Sequence, residues 1–246
     1  MGLKTRLRWL KLRNVPLVER LVFHVARVSR RSKLALFYTH VGPRDGESIL
    51  DVGVAPVRWS AASGAPAVEN FLEESYQWPQ RIVALSVDCL AEFRAIHPQV
   101  RAVQGDACCL PFADRAFDIV FTNAVIEHVG DRDRQLQFVR ESLRVARRAV
   151  FLAAPNAWFP YDTHVGFPFV HWLPRALWRH LVEESQLYLL SPAELLGFFP
   201  PWSRPQRLNG WWAPSIVVMA NPRPVETSSD MGPALTSEET QYGRQP

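Results

Sequence analysis

The chain has 246 residues, enough for one large α/β domain with appendages. Apolar residues at 48% and charged residues at 21% are ordinary for a globular chain, and no run of about eighteen apolar residues occurs, so no transmembrane helix is expected. The net charge is +4, but residues 1–35 hold ten Lys/Arg against one acid, Glu19, which suits a solvated basic helix face or peripheral contact with an anionic membrane; no nucleic-acid motif accompanies the charge, so nucleic acid ranks last.

In chain order, Pro16 opens a helix in which Leu17, Val18, Leu21, Val22, Val25 and Val28 fall at helical spacing. Residues 1–40 read as a basic helical extension and residues 41–222 as the main domain. Ser48 to Val54, SILDVGV, is a short buried strand entering a glycine turn. Residues 55–80 are rich in Ala, Ser, Gly and Pro, then become helix-like at ENFLEESY. RIVALSV is a second strand, CLAEFRAI a short helix closed by Pro98, VRAVQGD a third strand and FDIVFTNA a fourth. A helix-like segment with Glu127 and His128 follows. Asp131 caps a helix from Arg132 to Val145, with Leu136, Val139, Leu143 and Ala146 on one side. AVFLAAPN is a fifth strand, and an aromatic and Pro-rich insertion lies near 157–180. Ser191-Pro192 opens another helix, and Ala213 to Ala220 is a last strand. Residues 223–246 have few large apolar side chains and read as a disordered tail. Strands alternating with helices, and apolar throughout, predict an α/β fold with a doubly wound, mostly parallel sheet.

The strand ends carry the chemistry. Asp51 ends the first strand just before Gly53, Asp88 follows the second, Asp106 follows the third, and Asn123 ends the fourth. In a parallel sheet all these ends share one edge, where open α/β sheets bind nucleotide-like ligands. Ribose hydroxyls and an adenine amino group both donate hydrogen bonds, so acids at successive strand ends suit a nucleoside. Each acid alone reads as a helix cap or turn residue; the series favours a pocket. The cysteines Cys89, Cys108 and Cys109 are odd in number and form no C-x-x-C. That argues against a disulfide framework or a metal site and for a reducing, cytoplasmic setting, with membrane association through residues 1–35 as an addition.

The order LDVG, an acid after strand two, QGDACCLPF and FDIVFTNAVIEHV resembles the class I methyltransferases that use S-adenosylmethionine. LPF-x-D-x-x-FD-x-V followed by Glu127-His128 is most similar to their type 11 subfamily, and VFLAAPNAWFP resembles members of it too. The likeness covers about Ser48 to Pro174. It implies a Rossmann-like, seven-stranded sheet with the last strand antiparallel and S-adenosylmethionine as cofactor; the basic N-terminus and the aromatic section favour a lipid-like acceptor, with other small-molecule acceptors open. It implies that Gly53 lets the backbone approach the methionine part, that Asp106 meets the adenine amino group with Ala107 nearby, and that Asn123 borders the methionine side. Asp51 and Asp88 join them as cofactor-binding candidates. Two departures stand out. The loop GVAPVRWSAASG has Val54, Ala55 and Pro56 where small residues are expected, and Asp88 lies two residues past its strand and 37 after Asp51. An insertion at about 55–80 accounts for that spacing.

Glu127, His128 and His171 are the catalytic candidates, since imidazole titrates near neutral pH and can take an acceptor's proton. Structural roles for Glu127 and His128 are the simpler reading. His164 and His171 sit among aromatic residues that form either a lid or apolar acceptor pocket, or a loop packed on the sheet edge. Two rivals to methyl transfer remain: a catalytically inactive binding or scaffold protein of the same fold, supported by the altered loop, and an NAD-dependent oxidoreductase. The absence of G-x-G-x-x-G after the first strand disfavours the oxidoreductase.

Overall fold

A computed structural model describes residues 16–56, 70–162, 168–178 and 187–222. The expected tail, His164 and most of the loop after the first strand lie outside these residues. The described strands are β1 (Ile49–Val52), β2 (Ile82–Ser86), β3 (Arg101–Gln104), β4 (Phe117–Asn123), β5 (Ala146–Pro155), β6 (Gln206–Arg207) and β7 (Ser215–Ala220). They form one sheet in the order β3-β2-β1-β4-β5-β7-β6. β1 to β5 pair in parallel, whereas β7 runs antiparallel to both β5 and β6. The expected mixed sheet with an antiparallel last strand is therefore present. The short β6 has no counterpart in the sequence reading, because two residues carry no periodicity.

The helices are α1 (Pro16–Leu36), α2 (Phe71–Ser75), α3 (Ala91–Ile96), α4 (Arg132–Val145), α5 (Arg175–Trp178) and α6 (Pro192–Gly197). Asp131 caps α4 by accepting from the Arg134 amide, and Ser191 and Glu194 close a reciprocal capping box on α6. Strand alternation splits the core between two faces. Leu50, Val52, Val120 and Leu152 face Phe138 and Val139 of α4. Ile49, Ile119, Phe121 and Phe151 face the other way, toward Phe37 and Phe71.

Phe37 opens a π-helical turn, Phe37–Val41, that continues α1. Its fully buried ring sits edge-on to Phe121 at 5.2 Å and to Phe151 at 5.3 Å. Burying such a ring stabilises by about 1.5–3 kcal/mol, which fastens the C-terminal end of α1 against the sheet. The LPF segment is held from α4: Glu141 accepts from the Leu110 amide, while Arg144 donates to the Leu110 and Phe112 carbonyls and to Asp114. After β4 the chain forms a turn at 126–128, not the expected helix, and α4 starts only at Arg132. Gly130, at φ +118°, lies between them.

Candidate functional site

A cavity of about 350 Å3 opens at the carboxyl ends of β1 and β4. Arg30, Asp51, Gly53, Asn70, Phe121 and Asn123 are among its walls. Gly53 lies at φ +89°, and a Cβ there would collide with the Val125 side chain. Glycine is needed at this turn for both reasons. The loop amides are already engaged. Gly53 and Val54 both donate to the Leu85 carbonyl, at 2.7 and 3.2 Å. Ala55 donates to Asn70 Oδ1 at 2.9 Å, and Asn70 Nδ2 returns a bond to the Ala55 carbonyl. Pro56 has no amide hydrogen. An anionic group in this cavity is therefore met by side chains, and Arg30 is the lining cation.

Two buried acids stand together here, Asp51 in the cavity wall and Glu73 behind it. Asp51 and Glu73, on α2, are each nearly inaccessible to water and lie close enough to perturb one another. Burial raises the Asp51 carboxyl well above the usual carboxylate range, and the neighbouring Glu73 raises it further. Burial likewise raises Glu73, to about 7. Desolvation and like charge both oppose ionising the two carboxyls together.

Lys33, also on α1, is buried and donates from Nζ to Asn123 Oδ1 at 2.8 Å. Burial pushes the Lys33 ammonium down to about 8; the negative Glu127 opposes that shift and Arg30 adds to it. Glu127 is buried, with Oε1 3.7 Å from Nε2 of the half-exposed His128. The turn thus puts two neighbouring side chains together that a helix would have turned apart.

Of the residues expected to bind cofactor, the cavity gathers Asp51, Gly53 and Asn123. Asp88, Asp106 and Ala107 are not among its walls. Asp88 is exposed just past β2, and its amide points at Ser86 Oγ, 3.4 Å away. Asp106 accepts two bonds from Arg134 and one from the Cys108 amide. That amide bond is the largest cause holding its carboxyl below the usual range, with Arg134 adding to it. His171 lies apart, buried among aromatic residues beyond β5, with Nε2 2.9 Å from the Phe159 carbonyl. Among the described residues no three His, Cys, Asp or Glu side chains converge as metal ligands.

Sequence reasoning passed over Arg30, Lys33, Asn70 and Glu73. Lys33 was partly legible: it shares a helical stripe with Ser29 and Leu36, which are themselves partly covered. Asn70 and Glu73 sit in a short helix after a long loop, where no local pattern indicates which strand they meet.

Residues 79–154 match the family model described as a methyltransferase domain. Within that segment the chain is similar to the methyltransferases, and its sheet is of their Rossmann-like kind. Over 57 residues it is 40% identical to norajmaline N-methyltransferase of Rauvolfia serpentina, a match covering 23% of this chain and 18% of that protein. The chain thus spans under a fifth of the length of that curated relative. Its fold is similar to a protein from Pyrococcus horikoshii OT3 (TM-score 0.55, 15% identity, covering 80% of this chain and 91% of that one). It is also similar to the Burkholderia thailandensis 1,6-didemethyltoxoflavin-N1-methyltransferase, solved with 1,6-didemethyltoxoflavin and S-adenosylhomocysteine (TM-score 0.51, 15% identity, covering 79% and 78%).

S-adenosylmethionine is the cofactor of this methyltransferase class. The cavity fits its amino-acid end: Arg30 complements a carboxylate, Asp51 an ammonium, and Asn70 and Asn123 offer neutral polar groups.

Proposed function

We propose that this chain transfers a methyl group from S-adenosylmethionine to a small-molecule acceptor. The observation that carries the proposal is the placing of one cation and one acid, Arg30 and Asp51, in a single cavity at the β1 and β4 ends. When bound, the cofactor supplies a methyl group already made electrophilic by a sulfonium. The protein has then to bind and align. Arg30 takes up the carboxylate and Asp51 the ammonium of the amino-acid end. A cation arriving at Asp51 favours its ionised form, so binding moves a proton off the Asp51–Glu73 pair. Lys33 holds the Asn123 amide in one orientation. Phe121 and Phe71 close the apolar side of the cavity and exclude water from the reacting centre. Such alignment is worth about 7–11 kcal/mol in well-oriented systems, which suffices without a covalent intermediate. The Glu127–His128 pair, just beyond Asn123, is the group at this edge suited to take an acceptor's proton.

A second reading, a binding protein without transfer activity, has one observation in its favour: the loop Gly53–Pro56 spends its amides internally. Calorimetry with S-adenosylmethionine tests both. Binding that weakens in Arg30→Gln supports the methyltransferase, and no binding at millimolar cofactor supports the second reading. The norajmaline and didemethyltoxoflavin relatives are both N-methyltransferases by name. Nitrogen-containing heterocycles are therefore the first acceptors to assay.

A further inference from the structure

The turn between β6 and β7 carries Trp211 and Trp212, 56% and 67% exposed. Tryptophan is the side chain with most apolar surface to lose, so two adjacent ones held in water need a reason. The turn stands between two open apolar grooves. One, about 450 Å3, lies between α1, through His24, Val25 and Val28, and the segment from Asn209 to Val217. The other, about 470 Å3, is walled by Trp158, Trp172, Trp211 and Trp212, and also by Ser191 and by Glu194, whose charge is countered by Arg132 at 3.5 Å. Trp158 packs edge-on against Trp211 at 5.0 Å, and Phe169 against Trp172 at 5.0 Å, so the rings form one surface. Leu173 continues it, half-exposed. Exposed indoles gathered in this way, and not scattered singly, mark an interaction site.

Charge decides the partner. Along α1, Arg31 follows His24 and Val28 by seven and three positions, and Arg27 precedes it by four. Both arginines therefore lie beside the first groove, and both are exposed. Indole rings flanked by arginine on an amphipathic helix are the composition that seats a protein in the headgroup layer of an anionic bilayer. We propose that the Trp211–Trp212 turn, the two grooves beside it and the Arg27–Arg31 face of α1 form a surface that docks on an anionic lipid bilayer.

The position fits the reading of the site. β7 is antiparallel to β5, and Ser215 pairs with Pro155, so the turn lies at the same sheet edge as the cavity. The first groove also reaches Lys33, whose amine bonds to Asn123 in the cavity wall. Docking would thus bring the cavity to the lipid surface. The docking itself does not depend on the methyltransferase reading, because it is measured without cofactor.

The test is flotation of the full chain with vesicles of equal parts phosphatidylcholine and phosphatidylserine, followed by tryptophan emission. The expected result is binding with a blue-shifted emission. Trp211→Ser with Trp212→Ser, or Arg27→Gln with Arg31→Gln, should each weaken binding about tenfold or more. Circular dichroism and cofactor titration of the same variants check that the fold and the cavity are intact. Failure of the native chain to float overturns the proposal. So does undiminished flotation of both double variants, or light scattering that shows a dimer broken by the tryptophan changes, which would assign the patch to a second copy.

Discussion

The two ends of the crevice along the sheet edge are built in opposite ways. At the β1–β4 end, Asp51 and Asn123 line the cavity with Arg30, and each is backed by a buried charged group behind the wall, Glu73 beside Asp51 and Lys33 on Asn123. At the β2–β3 end, Asp88 and Asp106 are accessible to solvent, and Asp106 is already occupied by Arg134. Burial costs stability but fixes the groups before a ligand arrives, so the first end is preorganised. The second end can be rearranged cheaply, because an exposed ion pair is worth about 0–1 kcal/mol. Ligand affinity should therefore rest on the buried end.

The largest effect is expected at Gly53. Gly53→Ala would force a side chain into a left-handed turn and into Val125, and should cost about 2–5 kcal/mol in urea unfolding. A cost under about 1 kcal/mol would mean that this end is not rigid. Next, Arg30→Gln and Asp51→Asn should each weaken S-adenosylmethionine about a hundredfold by calorimetry, as expected for lost charge-assisted bonds in a water-poor cavity. Asp106→Ala should weaken it only about tenfold, and Asp88→Ala less. Equal losses at Asp51 and Asp106 would erase the contrast between the two ends.

The buried acids also predict a pH dependence. Glu73 titrates near 4.5 in the unfolded chain and about 7 in the folded one. Between those values the folded state binds more protons, so this pair lowers stability as pH rises through that window. Acids with lowered values, such as Asp106 and Glu141, act in the opposite sense at lower pH. Glu73→Gln isolates the pair: urea unfolding of native and variant should diverge as pH rises from 4.5 to about 7, with the variant gaining. Cofactor affinity of the native protein should rise with pH over the same range, since binding favours ionised Asp51. A flat difference would show that burial does not raise these carboxyls.

Local pattern made most of the sheet readable. Runs ending at or next to Asp51, Ser86, Gln104 and Asn123 mark four parallel strands, β1 continuing one residue past Asp51, and Asp131 marks the start of α4 within a residue. The resemblance supplied the antiparallel last strand, which no run of residues specifies. The site was only half legible. Acids at strand ends are visible in sequence, but whether each one faces a cavity or an arginine depends on contacts such as Arg134 with Asp106, 28 positions apart. Lys33 and Arg30 look like surface charge within a basic stretch, because only the docking of α1 on the sheet decides which of its cations are covered. The apolar residues after β4 suggest a helix, but Ala124, at φ +57°, breaks it and leaves a turn at 126–128.

The most direct measurement is calorimetric titration of S-adenosylhomocysteine, which cannot react, into the native protein, Asp51→Asn and Asp106→Ala. The account predicts binding to the native chain, a loss of about a hundredfold in Asp51→Asn and a loss of about tenfold in Asp106→Ala. No heat with the native protein, or a larger loss at Asp106 than at Asp51, would contradict it.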